Sequence, residues 1–209
     1  TMATTTRILV INPGSTSTKI AIYQQEKVIL LKTIKHSGSE LQEFKRITDQ
    51  YEYRKNRIHE ELRDADIPFE TIDAVIGRGG LVKPIEAGVY RVNEEMRKDL
   101  LECKRGEHAS NLGGLIASDI ARMLPSAEAF IADPVVVDEL DALARYTGHP
   151  LFEKVSVFHA LNQKAIARSH AKSIMKRYED MNLIVVHLGG GITVGAHCKG
   201  RVVDVNQGL

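Results

Sequence analysis

The chain has no tryptophan, two cysteines, few aromatics (5%) and almost no surplus of charge of either sign, and each shortage removes a class of protein. Cys103 and Cys198 lie far apart and form no CxxC or Cys/His spacing, so neither a disulfide framework nor a zinc site is supported; a reducing, cytoplasmic setting fits. Lys and Arg number 28 against 27 Asp and Glu, which gives no ground for a nucleic-acid or membrane-surface partner. A small anion needs only local positive charge and is left open. No apolar run approaches the roughly 18 to 20 residues of a membrane span, and residues 1–7 lack the apolar centre of a secretion signal. What is present, 209 residues with 43% hydrophobic and 26% charged, suffices for one large domain or one domain and part of another.

Short β-rich runs alternate with helical patterns, which predicts an α/β protein. Residues 7–12, 17–24 and 27–34 read as three antiparallel strands, the first two joined through Pro13-Gly14-Ser15. Leu41, Phe44, Ile47, Tyr51, Ile58 and Leu62 recur along one side of a single surface helix. Strands are expected at 73–77, 89–92 and 127–132, and helices after Asn93, which caps with Glu94 and Glu95 in the first turn, and over 110–123. Asp133-Pro134 has the chemistry of a helix start, predicting a helix to Gly148, and residues 159–178 read as another. At Leu183 the opening pattern returns: LIVVHLG, a GGG turn, ITVGAH, a Lys199-Gly200 turn and RVVDV. The repeat predicts a first domain over 1–181 and the first strands of a second, cut short, over 182–209.

In both copies a strand runs into a tight turn rich in Gly or Ser, where backbone N–H groups can approach phosphate oxygens without a Cβ in the way. Asn12, Gly14, Ser15 and Ser17 surround the first turn, with Lys19 as a point charge if alternation turns it to the same side; Gly189, Gly190 and Gly191 form the second. Either turn alone is an ordinary β-hairpin. Duplication favours two hairpins gripping one polyphosphate, and the absence of GKS or GKT excludes a Walker A loop. Between them stand Arg78 in a Gly-rich loop, Asp133 at a strand end, and His159 and His187 beside apolar residues. Locally these read as an exposed charge, a helix cap and core histidines. His36, His59, His149, His170 and His197 are read as surface residues, and no residue is assigned as a direct metal ligand.

Six blocks in order, ILVINPGSTSTKIAIY, GRGGLVKPIEAGVY, GEHASNLGG, ADPVVVDE, VFHALNQKAIA and HLGGGITVGAHCKGRVVDVNQG, together resemble the butyrate and branched-chain fatty-acid kinases of the acetate kinase family. The resemblance implies an actin-like ATPase (ribonuclease H-like) fold, a mixed sheet flanked by helices with the start of a duplicated second domain. It implies ATP and Mg2+ as cofactors, a small carboxylic acid as substrate and a homo-oligomer. On it, Asn12, Ser15, Ser17 and Lys19 match the first phosphate motif, and His187 with Gly189 to Gly191 the second. Arg78 matches the arginine at the carboxylate and transferring phosphate, Asp133 the active-site aspartate and His159 the transition-state histidine. His108 matches more loosely, its block being one residue shorter, and Gly190, where many acetate kinases have Asn, favours the butyrate branch.

The chemistry agrees with these roles. A carboxylate is ionised at neutral pH and needs no general base to attack the terminal phosphoryl of ATP; repulsion between anions is the obstacle. Arg78 and His159 would hold the two in line and neutralise spreading charge, each such contact contributing about 3 kcal/mol. Kinases of sugars and other alcohols on this fold usually carry Asp where this chain has Asn12, which argues against them and against an actin-like or chaperone-like nucleotide switch, the main alternative. Related kinases continue past the equivalent of Leu209 with an arginine loop and the adenine-binding segments, so the 209 residues alone are expected to bind ATP weakly and not to turn over.

Overall fold

The computed structural model describes residues 6–65 and 67–208. Contacts divide the chain into two compact units, residues 1–82 with 89–132, and 83–88 with 133–209.

The first unit is built on a six-stranded sheet. Strands β1 (Arg7–Pro13), β2 (Ser17–Gln24) and β3 (Lys27–Lys35) form the expected antiparallel meander. β4 (Ala74–Arg78) runs parallel to β1, β6 (Glu128–Ala132) parallel to β4, and β5 (Val89–Arg91) closes the edge antiparallel to β6. The order is β3-β2-β1-β4-β6-β5. Ile11 pairs with Gly77 and Arg78 with Ala132, so the three parallel strands bring their carboxyl ends to one edge of the sheet, the edge where ligands bind in open α/β sheets.

Helix α1 (Gly38–Gln42) starts at Ser37, whose hydroxyl caps Glu40 while the Glu40 carboxylate accepts the Ser37 N–H. The single helix expected over 41–62 is broken into α1, a 3-10 turn (Ile47–Gln50) and α2 (Tyr51–Asp64). The break comes from side chains competing for the backbone: Asp49 accepts the Arg46 N–H, Glu107 accepts the Ile47 N–H, and Arg46, ion-paired to Glu107, is extended. Asn93 caps α3 (Glu94–Glu102) through the Met96 N–H, as read. α4 (Asn111–Arg122) is buried at ten of its twelve positions and lies against β4 and β6.

In the second unit β7 (Asn182–Leu188), β8 (Ile192–Cys198) and β9 (Arg201–Val205) repeat the meander. Both copies shift register opposite Ile22/Tyr23 and Ala196/His197, where the third strand carries one extra residue, Ile29 and Val203, and both second turns open on a left-handed non-glycine residue, Gln25 (φ 55°) and Lys199 (φ 47°). Helix α5 (Ala160–Ser173) packs Ala167 and Ala171 against Tyr178 and Val185. It stops short of the expected residue 178, the chain turning through Met175 at φ 53°.

The helix expected from Asp133 to Gly148 does not form; only a 3-10 turn, Ala142–Arg145, is present. Val135, Val136 and Val137 are buried, and Val137 bridges Ile85 in parallel fashion, an extended pairing that suits β-branched residues. Val137 joins Leu140, Phe158, Ala160, Val202 and Val205 in a core cluster. Beside it Lys164 and Glu139, both buried, pair at 2.9 Å; Lys164 also donates to the Gly200 carbonyl, and Glu139 accepts the Val202 N–H. Among the described residues no helix is long and apolar enough to cross a membrane.

Two of the histidines expected at the surface are buried: His36 is 4% and His197 2% exposed. His36 lies between the Thr18 hydroxyl and the Tyr53 phenol, and burial, helped by the Arg54 charge, holds it down at about 4. Burial and the Lys164 charge do the same to His197. The unfolded chain titrates these groups near 6.5. Between about pH 6.5 and 4 it therefore takes up protons that the folded chain refuses, and stability is lost as pH falls through that window, by roughly 1 to 2 kcal/mol for each histidine. Urea midpoints at pH 7 and 4.5 check this: the double variant His36→Gln, His197→Gln is expected to lose less on acidification than the parent, and equal losses would refute it.

Candidate active site

In the first unit the site residues gather at the carboxyl edge of the parallel strands. Asn12 pairs directly with Lys19 across the β1–β2 hairpin. Thr18 and Ile20 are buried while Lys19 is exposed, so alternation puts Asn12, Ser17 and Lys19 on one face. Ser15, at the tip, is exposed, and the turn is closed by the Gly14 N–H donating to the Ser17 carbonyl at 2.7 Å. Arg78 ends β4 on the strand next to Asn12. It is half-buried, burial holds its guanidinium below its ordinary value, and among the described residues no carboxylate pairs with it. The Gly79-Gly80 loop beyond it is anchored by the buried Asn111, which accepts the Leu81 N–H at 2.9 Å. His108 stands close enough to Arg78 that the guanidinium charge adds to burial in lowering it. Its Nδ1 accepts from the Ser110 N–H, which leaves the proton on Nε2.

In the second unit Asp133 does not cap a helix, because none follows. It holds a left-handed backbone (φ 35°), is 7% exposed, and its carboxylate accepts the Gly88 N–H at 2.8 Å and meets Arg168 at 3.3 Å. A buried acid in a sparsely populated conformation is the kind of strain found at functional sites. His159 and His187 stack face to face, with ring centroids 3.6 Å apart and planes 6° from parallel. Asn162 donates to His187 Nδ1 at 2.7 Å. The Gly189 N–H donates to the Gly191 carbonyl, and a Cβ at Gly189 would stand 3.0 Å from His187 Nε2, so glycine there makes room for the imidazole. Gly190 faces open space. His159, His187 and Gly189 to Gly191 thus form one cluster.

Sequence reasoning missed what supports that cluster. The buried Thr193 hydroxyl meets His159 Nδ1 at 2.9 Å. Gln163 donates to the same hydroxyl and to the Thr193 carbonyl, which leaves its Oε1 to accept from His197 Nε2; Gly195 leaves room for that amide. His197 Nδ1 then accepts from the Tyr178 hydroxyl at 2.6 Å. Gln163 fills one lone pair of the Thr193 hydroxyl and leaves its proton free to point at His159 Nδ1; in that arrangement His159 carries its proton on Nε2, the tautomer able to donate to an oxyanion. A signal existed: residues 159, 162 and 163 lie at i, i+3 and i+4 around the first turn of α5. Among the described residues no group of three or more His, Cys, Asp or Glu converges on a metal position.

No protein-family model matches the chain. Among solved structures, the acetate kinase of Porphyromonas gingivalis superposes with a TM-score of 0.71 at 17% identity, covering 97% of this chain and 57% of that one. The acetate kinase of Entamoeba histolytica gives 0.68 at 17%, covering 97% and 55%. The chain thus has the fold of these two structures over the part they share, a mixed sheet with flanking helices. Sequence goes further: butyrate kinase 2 of Clostridium acetobutylicum is 53% identical over 203 residues, and a probable butyrate kinase of Phocaeicola vulgatus 57% identical over 203, in each case along 97% of this chain. Over the stretch they share, the chain is similar to butyrate kinases along nearly its whole length. It spans 57% and 56% of the length of these two relatives.

Proposed function

We propose that the protein phosphorylates a short-chain fatty acid, butyrate or a branched analogue, with ATP to give the acyl phosphate. The observation that carries this reading is Arg78: a half-buried guanidinium without a carboxylate partner among the described residues, on the strand next to the neutral Asn12, at the carboxyl edge of the sheet. An arginine kept this way suits a ligand that brings its own anion, and its planar fork matches a carboxylate or a phosphoryl group.

Asn12, Ser15, Ser17 and Lys19 supply hydrogen bonds and one positive charge on a shared, exposed face, a donor set that fits polyphosphate oxygens. The Gly189 to Gly191 turn, with His187 packed behind it, is assigned to the same ligand. His159, as its Nε2–H tautomer, is assigned to the equatorial oxygens of the transferring phosphoryl, and Arg78 to the acid and that phosphoryl together. Mg2+, when bound, supplies charge neutralisation between phosphates. It commonly keeps several waters and is held by one or two protein carboxylates with the substrate phosphates, and Asp133 would organise it through such a water. The acid requires no base, in keeping with Asn12 in place of an aspartate. The duplicated meander supports reading 182–209 as the opening of a second domain of the same kind, and the family reading adds a cytoplasmic homo-oligomer.

The test is a hydroxamate assay on the chain extended to the full length of its relatives, with ATP, Mg2+ and acids from acetate to valerate. Acyl phosphate peaking near four carbons is expected; none with any acid overturns the reading.

A further inference from the structure

Arg54, in the middle of α2, is 0% exposed and among the largest fully buried side chains of the protein. Its guanidinium has no carboxylate partner among the described residues. Every nitrogen instead donates to a neutral oxygen: Nε and Nη2 to Gln50 Oε1 at 3.0 and 2.8 Å, Nη2 also to the Ser15 carbonyl at 3.1 Å, and Nη1 to the Gly14 carbonyl at 2.8 Å, the Ser17 carbonyl at 3.3 Å and the Thr18 hydroxyl at 3.1 Å. Arginine stays charged in proteins, and an isolated buried charge is costly unless something compensates it. The groups around it do not supply a negative charge. Thr18, hydrogen-bonded to the neutral His36, and Gln50 are both uncharged.

Three of those acceptors are consecutive or near-consecutive carbonyls of the β1–β2 turn. In a planar trans peptide the C=O and the following N–H point opposite ways. With the Gly14 and Ser15 carbonyls drawn inward onto Arg54, the N–H groups of Ser15 and Thr16 face outward at the exposed tip, and no hydrogen bond to either is found among the described residues. The turn is therefore an anion-binding concavity with a fixed cation sealed beneath it. The missing negative charge would come from the ligand on the other side of the turn.

We propose that Arg54 is the positioning residue of the first phosphate hairpin, holding its carbonyls inward so that the Ser15 and Thr16 amides meet the phosphates of ATP, and adding its buried charge to their attraction. The inference rests on the kinase reading for the identity of the ligand. A purely structural arginine would affect folding, or both substrates alike; a positioning arginine at this turn acts on the nucleotide.

The experiment uses the full-length protein with Arg54→Met, which keeps volume and removes charge and donors, and Arg54→Lys, which keeps charge but cannot span Gly14, Ser15 and Gln50 together. Folding is checked by thermal melting. Folded Arg54→Met is expected to raise the KM for ATP tenfold or more with the KM for the acid within twofold, and Arg54→Lys to raise the former at least threefold. An ATP KM within twofold of the parent in either folded variant, or equal rises for both substrates, overturns the proposal; if Arg54→Met does not fold, Arg54→Lys decides. Calorimetric ATP binding separates the two readings: a parent that binds ATP without making acyl phosphate sinks only the kinase reading, and a tenfold loss of that binding in Arg54→Met sustains the role of Arg54. A parent that binds no ATP overturns both.

Discussion

On the proposed kinase reading, replacing Arg78 with alanine in the full-length protein is expected to lower kcat by two to three orders of magnitude while the affinity for ATP changes only a few-fold. Its fork is assigned to charge that develops between acid and phosphoryl, and removal of one such donor typically costs 10²–10³ in turnover. On that reading the nucleotide keeps its proposed contacts with the β1–β2 hairpin. Stability should hardly move, since the guanidinium makes no ion pair among the described residues and its burial is already unfavourable to the charge. Arg78→Ala is thus expected to melt at or slightly above the parent temperature, a trade of stability for function common at active sites. Arg78→Lys should recover a minor part of the rate, because a point charge cannot bridge two anions as a planar fork does. Steady-state kinetics in both substrates with a melt of each variant is the measurement; an Arg78→Ala enzyme within tenfold of the parent would remove Arg78 from the chemistry.

Much of the fold was legible because its signals are local. The meanders announce themselves as β-branched runs, such as LIVVHLG and ITVGAH, separated by Gly-containing turns, and alternation along β2 was enough to bring Lys19 to the face of Asn12. What failed depended on partners distant in sequence. Apolar periodicity carried the helix reading across residues 43–50, where Glu107 and Asp49 take the backbone amides; Glu107 is about sixty residues away. Asp133-Pro134 carries a helix-start signal, yet the chain makes a single turn, closed by the Val137 N–H on the Pro134 carbonyl, and Val137 then bridges Ile85. Two cations inside helices are buried: Arg54 lies on the same stripe as Ile58 and Leu62, and Lys164 on the buried side of α5. The spacing therefore contained a clue: a cation at i, with apolar residues at i+4 and i+8, is on the inner face and must find acceptors there. The stack of His159 on His187 had no such clue, since the two stand on different elements.

Gly113→Ala is expected to destabilise the chain by about 4 kcal/mol, the opposite of the gain near 1 kcal/mol that alanine brings to an ordinary helical glycine. A Cβ there would lie 2.4 Å from the Arg78 carbonyl oxygen and 2.9 Å from its nitrogen, and one at Gly77 would lie 2.1 Å from the Gly113 carbonyl oxygen. These are contacts of backbone with backbone, so no rotamer change relieves them and α4 must lift from β4. That helix seats Leu112, Leu115, Ile116, Ala117 and Ile120 at 0% exposure, and displacement loosens all of them together. The cost should therefore exceed the 1 to 3 kcal/mol usual for an overpacked side chain. Gly114→Ala is the control: its Cβ would meet side-chain carbons of Leu100 at 3.0 Å and Ile131 at 3.1 Å, which can yield by a few tenths of an ångström. Urea midpoints of the two variants should differ widely, with Gly114→Ala near the parent, and coincident midpoints would mean that α4 and β4 are not pressed together. Because Gly113 bears directly on the backbone of Arg78, the folded fraction of Gly113→Ala in the full-length protein should, on the proposed kinase reading, also lose turnover, linking the tight packing of α4 on β4 to the residue assigned to the chemistry.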